Sequence, residues 1–597
     1  MHPRPLRPFL AWCLAASALL ALAFATYRAS LEVPFLWDDE IAIVRNPRLA
    51  RLWPFGDAGH ALETPEDGRP VVRLTLALNH ALGGLEVPGE GPGARIARSF
   101  GIGRGALAVR GYHWLNLALH WANALLLAAL VRATLRRLSR WSAAADGLGW
   151  LVAALWLVHP LQSEAVTYVI QRTELLMALA YLATLLCAAR ALEERRRALW
   201  SALAVLACAL GMASKEAMAS APLAVALYDR AFAFPSWRAA WARRRSLYLG
   251  LVSTWLVLGA LVAGGPRAQS VGFGLGVAWW EYARLQVGVL GDYLRLALWP
   301  SELLFDYGTA FSTRPGPLLP GALVLAAVLL ATGWALVRRP QLAFLPAAAL
   351  LVLAPSSSVV PIVSEIGAER RAYLPLAALI VALVLATHAG LARFLAPARA
   401  MRGVSALALV LVGLLAHGTT QRLHDYRSAL AIWRDAARLR PDNPRARNHV
   451  GRELLHGGRP DEALAEFSAA MALPGCELEA FNNAGHALAA LGRREEALAH
   501  FRDLVAADPT NCGAQEGRGV TAMELERWAE AVEALERCRA LGCATANVLN
   551  NLGRSLYFLG RGEEALAAFE AALVLEPTHA AAAENLGKVR ERLANQR

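Results

Sequence analysis

The chain has 597 residues, too many for one domain, and 56% of them are hydrophobic, with a mean hydropathy of +0.36. Its net charge of +12 comes from short basic clusters set between apolar runs, with no aromatic-interleaved basic stripe, which points to membrane orientation and away from a nucleic-acid surface. The apolar runs stop near residue 418, and an Ala-, Glu- and Arg-rich helical pattern follows.

In chain order, Arg4 and Arg7 precede an apolar run over 9–26, a signal anchor or a cleaved signal peptide. Either choice puts residue 28 onward outside. The loop that follows carries Asp38, Asp39 and Glu40 in succession. Three carboxylates beside an anchor are costly in hydrocarbon, so water must reach them. Like charges at close range also raise one another's pKa, which makes a carboxylate a better base. The plain alternative is a solvated turn. Arg69-Pro70 then opens an amphipathic stretch, 71–82, expected at the interface, and 83–110 reads as a flexible Gly-, Pro- and Arg-rich insertion.

Ten further spans are expected at 112–131, 148–158, 172–192, 199–213, 217–233, 247–262, 318–337, 342–353, 373–392 and 404–416, making eleven. Arginine clusters at 132–140, 195–197, 238–245, 338–339 and 393–402 mark the inner ends. The run 285–298 contains Asp292 and Arg295 and is assigned to a re-entrant or interfacial helix on the outer side. This count gathers Asp38, Asp39, His159, Glu164, Arg172, Lys215, Glu369 and Arg370 on one face. Each is explicable alone as a loop charge or a cap, but ionisable groups collected at span ends are a functional-site expectation.

Beyond the spans, Gly451, Gly485, Gly519, Gly553 and Gly587 recur every 34 residues. Ala463, Ala497, Ala531 and Ala565 keep the same period, as do Phe467, Phe501, Leu535 and Phe569. This is the tetratricopeptide period, in which a small residue admits its neighbour helix and an aromatic packs between repeats. The fold expected is therefore all-α: a polytopic membrane domain over 1–418, then an α-solenoid over 419–597. The solenoid comprises a half repeat at 419–443 with a helix over 421–440, four repeats over 444–579, and a capping helix over 580–597. Asn448, Asn482 and Asn550 share one phase of the first helices, and Asn483, Asn551 and Asn585 the next. Either set can hydrogen-bond an acceptor peptide, or be solvated polar positions. Cys476, Cys512, Cys538 and Cys543 lie in this half and can form disulfides outside the cytoplasm, with their pairing open.

The ordered motifs resemble a known family. Phe35-Leu36-Trp37-Asp38-Asp39 with Asn46-Pro47, Arg69-Pro70 through Ala81-Leu82-Gly83-Gly84, and Gly111-Tyr112-His113-Trp114-Leu115-Asn116 with His120 come first. His159-Pro160 with Glu164, Ser214-Lys215-Glu216, and Ala368-Glu369-Arg370 with Tyr373-Leu374-Pro375 follow. In this order, with the repeats behind them, they resemble the transmembrane and tetratricopeptide-repeat O-mannosyltransferases and their bacterial relatives. The resemblance implies a GT-C-type enzyme that transfers a hexose, mannose or another, from a polyprenyl-phosphate donor to Ser or Thr hydroxyls of exported proteins, with inversion. It implies a bacterial inner-membrane protein with its site and repeats on the periplasmic face. Arg172-Thr173-Glu174 stands where the family commonly has Arg-x-Asp, Arg371 where an aromatic is usual, and 85–110 is inserted.

The residue chemistry suits that reaction. A base is needed for the acceptor hydroxyl, and positive charge for the departing phosphate. Asp38 or Asp39 is the candidate base. Lys215, Arg172 and Arg370 are the candidate phosphate ligands, supported by Arg69, His159, Glu164, Glu216, Glu369 and Tyr373. No cofactor is required by this set and no dense ligand cluster demands a metal, although Asp39, Glu164 and His159 leave a divalent cation open. Two alternatives stand beside this reading: a non-catalytic membrane scaffold presenting repeats, and an O-antigen-type ligase, which the acidic pair in the first loop disfavours.

Overall fold

The computed structural model describes residues 6–50, 52, 68–85, 97–100, 102, 104–193, 195–263, 271–309, 318–358 and 360–595. Part of the expected insertion, 86–96 with 101 and 103, lies outside the described residues. The chain divides into two compact units, Met1–Asp435 and Ala436–Arg597. Regular structure among the described residues is helical, the β-pairing being an isolated bridge between Val271 and Ile362.

In the first unit, each of the eleven expected runs falls on its own helix. Six of these helices are long and apolar enough to cross a membrane: Phe9–Glu32, Val109–Arg136, Val169–Arg190, Trp237–Ala263, Leu319–Arg338 and Pro397–Asp425. Shorter apolar helices, Ala145–Leu157, Arg197–Met212, Pro340–Leu353 and Pro375–Leu391, lie among them. Arg172–Arg190 is almost wholly buried against Val109–Arg136 and Arg197–Met212, so it forms the centre of the bundle. Trp237–Ala263, Leu318–Arg338 and Pro397–Asp425 instead leave Leu256, Leu330 and Leu414 exposed by 77%, 74% and 63%. Apolar side chains bared in such runs need a hydrocarbon solvent, and this is a membrane protein.

Two expectations shift here. The helix expected at 285–298 begins earlier, at Trp279, and carries Glu281 as well as Asp292 and Arg295. The border expected at 418 falls inside the unbroken helix Pro397–Asp425, and the helix expected over 421–440 is divided at Tyr426, its second part being Ala429–Leu439. The last helix therefore runs on past the end of its apolar stretch. Thr419 donates to the Val158 carbonyl at 2.7 Å, and Arg422 and Tyr426 are buried, so tertiary contacts carry the helix onward.

The second unit holds four helix pairs, from Pro444–His456 with Pro460–Met471 to Ala546–Phe558 with Gly562–Leu575, and a final helix, Ala580–Ala594. Local chemistry starts these helices: Asn443, Asn511, Thr545 and His579 each accept from backbone N–H groups of the first turn. Four of the five 34-residue glycines, Gly451, Gly485, Gly519 and Gly553, are explained by close approach, while Gly587 in the final helix faces open space. A methyl group on Gly451 would lie 2.5 Å from Phe467, and one on Gly553 2.7 Å from Phe569. Cys512 and Cys543 form a disulfide that joins the start of one first helix to the loop before the next.

Candidate functional site

The loop after the first helix does not fold as a plain solvated turn. Trp37 adopts a left-handed φ of 36°, and backbone bonds from Asp39 to Leu36 and from Glu40 to Trp37 close it tightly. Asp38 and Asp39 thereby acquire different environments. Asp39 is fully buried, and its two carboxyl oxygens accept from the Leu36 and Ile170 N–H groups at 3.0 and 2.8 Å. It bolts the loop to the turn ahead of Arg172–Arg190. Burial, with Asp38 alongside, outweighs those amides and pushes its pKa up to about 8.

Asp38 is half-buried, and its backbone N–H donates to the Tyr168 hydroxyl at 2.8 Å. Tyr168 is buried and feels the charges of Asp38, Asp39 and Arg370. That common neighbour brings the acidic pair and a predicted phosphate ligand into one electrostatic neighbourhood.

Arg370 is held from two sides. Glu164 accepts from both its backbone N–H, at 2.9 Å, and its guanidinium, while Glu365 takes the other arm at 2.5 Å. Burial opposes its charge, but the two carboxylates hold its pKa above the ordinary value. Burial pushes the Glu164 carboxyl up in spite of Arg370. Lys215 pairs with Glu174 and lies within electrostatic range of Arg69 and Arg370. Burial, opposed by Glu174 and reinforced by those two like charges, pulls its ammonium down to about 8. Arg69 bonds Glu216 at 3.4 Å, and the Val71 N–H donates to the Ala213 carbonyl, which fixes Arg69 beside Lys215. The structure thus brings together Asp38, Tyr168, Arg370, Lys215 and Arg69.

Other expected residues are set apart. Arg172 is completely buried: its Nε donates to Asn116 and its Nη2 to the Tyr112 carbonyl, both at 2.9 Å, with the Tyr112 ring 5.8 Å away. It clamps its own helix to Val109–Arg136 through Nε and Nη2, while its buried Nη1 has no hydrogen-bond partner. His159 accepts from the Leu161 N–H at its Nδ1, so Nε2 carries the proton and donates to the Ala297 carbonyl, both at 3.2 Å. Burial holds it neutral, with a pKa near 4, and both nitrogens are spent on structure. Tyr373 is buried, its hydroxyl meeting His120 at 2.8 Å and Asn123 at 3.1 Å. Glu369 is buried too, accepting from the Leu304 N–H, and burial pushes it to about 8 against the pull of Arg422. Among the described residues no group of three His, Cys, Asp or Glu side chains is disposed to hold a metal ion.

Comparison with known proteins adds the family context. Tetratricopeptide repeat models match residues 421–475, 482–542 and 546–579. Protein O-mannosyl-transferase Tmtc2 of Drosophila melanogaster is 28% identical over 223 residues, 35% of this chain and 21% of that protein. Protein O-mannosyl-transferase TMTC4 of Homo sapiens is 26% identical over 216 residues, 33% of this chain and 26% of that protein. The chain is similar to the TMTC proteins. The matched part spans about a quarter or less of either relative. A solved thermophilic TPR protein of Thermus thermophilus is 23% identical, with a TM-score of 0.25, covering 30% of this chain and 94% of that one.

In this TMTC-like chain, several site residues escaped sequence reasoning. Tyr168, Glu174 and Glu365 sit inside or beside motifs that were quoted, but nothing in their spacing says which charge they meet. Arg422 gave no signal, since it follows the apolar part of the last span; it is buried with Asp435 at 2.6 Å and Asp425 at 3.0 Å. In the repeats, Asn483 donates to Asn448 at 2.9 Å, Asn482 to Asn511 at 3.2 Å, and Asn585 to Asn550 at 2.8 Å. These amides stitch neighbouring repeats together, while Asn551 is half-buried on its helix.

Proposed function

We propose that this TMTC-like chain is a membrane glycosyltransferase that moves a hexose, mannose or another, from a polyprenyl-phosphate donor to Ser or Thr hydroxyls of exported proteins. The observation that carries the reading is the half-buried Asp38 joined through Tyr168 to Arg370, with Lys215 and Arg69 next to it. Asp38, not the bolted Asp39, takes the proton as the acceptor oxygen bonds to the anomeric carbon. The bond from that carbon to the phosphate oxygen breaks, and its electron pair leaves on the polyprenyl phosphate. Arg370, Lys215 and Arg69 receive the growing negative charge. A single displacement of this kind inverts the anomeric centre. The names of both relatives support the hexosyl assignment.

The orientation proposed puts the site and the repeats on the periplasmic face of a bacterial inner membrane. The Cys512–Cys543 disulfide favours an oxidising compartment for the repeats. Tetratricopeptide arrays bind protein segments, so the second unit recruits the acceptor and raises its local concentration.

The test is transfer by the full chain in nanodiscs, with polyprenyl-phosphate mannose and a Ser/Thr peptide, read as a hexose mass increment. Wild type should add the hexose and Asp38→Asn should not. A folded wild type inactive with every polyprenyl-phosphate hexose would overturn the reading and favour a scaffold.

A further inference from the structure

The bundle contains a second feature that the transfer site does not use. A cavity of about 1020 Å³ runs between five helices. Its basic end lies at the other ends of the helices that build the site. Arg172–Arg190 offers Glu174 to Lys215 in its first turn, but Tyr181 and Leu185 to the cavity. The cavity is bounded along Pro375–Leu391 from Pro375 to Ala389, a run of about 21 Å at the usual helical rise. Its walls are otherwise largely apolar, and away from the arginines they include the uncharged Leu374 and Pro375.

The charged groups in its lining are four arginines, Arg140, Arg230, Arg338 and Arg339, and among the described residues no Asp or Glu joins them. Arginines are expected at this end of a bundle on orientation grounds alone. What distinguishes these four is that they converge on one largely apolar cavity whose described lining holds no acidic residue. Arg132 and Arg136 share Asp146 at 2.7 and 2.8 Å, Arg244 holds Asp229 at 2.6 Å, and Arg190 reaches Glu193 at 3.8 Å. Arg140 lies over the Trp141 ring at 4.7 Å, and none of the four cavity arginines forms an ion pair among the described residues. A deep apolar slot, basic at one end and neutral at the other, has the polarity of a lipid with a phosphate head.

We propose that this cavity holds an anionic phospholipid, its acyl chains along Pro375–Leu391 and its phosphate on Arg140, Arg230, Arg338 and Arg339. Basic pockets between spans are suited to such head groups. The sugar donor does not fit this slot, because its phosphate belongs with Arg370 and Lys215 at the opposite helix ends.

The test uses the full chain in nanodiscs of phosphatidylcholine with a minority of phosphatidylglycerol, followed by native mass spectrometry of the retained lipid. Wild type should retain phosphatidylglycerol. The double variant Arg338→Gln with Arg339→Gln should lose roughly tenfold or more of that retention, the Arg→Lys pair should keep most of it, and Arg393→Gln, outside the cavity, should match wild type. Ala378→Phe, which fills the slot without changing charge, should also lose the lipid, and it serves if the double variant does not fold. Retention unchanged in the Gln pair, equal retention of phosphatidylcholine, or recovery of a polyprenyl phosphate instead would each overturn the proposal. Sugar transfer is not read in this experiment, so its outcome is independent of the proposed activity.

Discussion

Trp433 lies edge-on to Trp37, their ring centroids 5.3 Å apart. Both meet Phe305, which also contacts Tyr426 and Tyr168. The strained backbone at Trp37 is thus held by an aromatic cluster that backs the loop bearing Asp38. Removing the indole with Trp433→Ala should cost about 3–5 kcal/mol and abolish transfer, whereas Trp433→Phe should retain most of it. Chain length tests the same contact. A stop near residue 418 discards Arg422 and Trp433, so it should inactivate the enzyme. A stop after Leu439 should keep slow transfer to a short peptide while losing most activity on a full-length acceptor. Equal activity of the two truncations on the peptide would contradict this role for Trp433.

The two aspartates should separate experimentally. Asp38→Asn should lower turnover by roughly 10²–10⁴-fold with the thermal midpoint and donor affinity unchanged. Asp39→Asn leaves one of two backbone N–H groups without a carboxyl acceptor, and should destabilise by about 1–3 kcal/mol. Loss of turnover in Asp39→Asn at unchanged stability, with Asp38→Asn active, would reverse the assignment.

Lys215 gives a pH signature. Its pKa is lowered to about 8, so the cation is present below that pH and discharges above it. The donor KM should therefore be lowest near neutral pH and rise by up to roughly tenfold per unit above the pKa. Lys215→Arg should carry the low KM to higher pH, because a guanidinium stays charged. A donor KM flat across this window would remove Lys215 from the phosphate site.

Arg172 should behave as a structural cation. Arg172→Ala strands the Asn116 side chain and the Tyr112 carbonyl in a dry interior, a loss of about 3 kcal/mol or more. The variant should be depleted from the membrane, and any folded fraction should bind donor normally. A stable variant with a raised donor KM would restore the phosphate role read from the motif.

One prediction concerns the repeats alone. Gly458, Gly492 and Gly560 turn between paired helices with φ of 71°, 75° and 78°, and the equivalent place in the third repeat is the exposed Glu526 at 57°. Glu526→Gly should relieve that strain by about 0.5–1 kcal/mol. Slower hydrogen exchange across 512–540 is the expected readout, and faster exchange would contradict it.

Much of the architecture was legible in the residues. Apolar runs, arginine clusters and the 34-residue period are local patterns, and a helix needs only local patterning to form. All eleven runs became helices, whereas the aromatic expected between repeats packs on the glycine of its own helix pair. The grouping of charges at one end of the bundle was also readable, since alternating spans bring alternate loops together.

The division of labour within that group was not readable. Asp38 and Asp39 are adjacent and chemically identical, yet one is bonded to the Ile170 amide 131 positions away and the other is only half-buried. Arg172 and Arg370 read alike as phosphate ligands until burial turns the first toward Asn116 and Tyr112 and leaves the second beside Lys215. The border at 418 was drawn where hydrophobicity falls, but Trp433 belongs with Trp37, far beyond any local pattern. The sequence by itself determined which segments are helices and which ionisable groups share an end, because both follow from periodicity and solvent preference along the chain. Only the tertiary structure decided which of those groups is buried, which stays half-buried and which partner each one meets, because burial and partner choice depend on backbone and side chains that meet across more than a hundred residues.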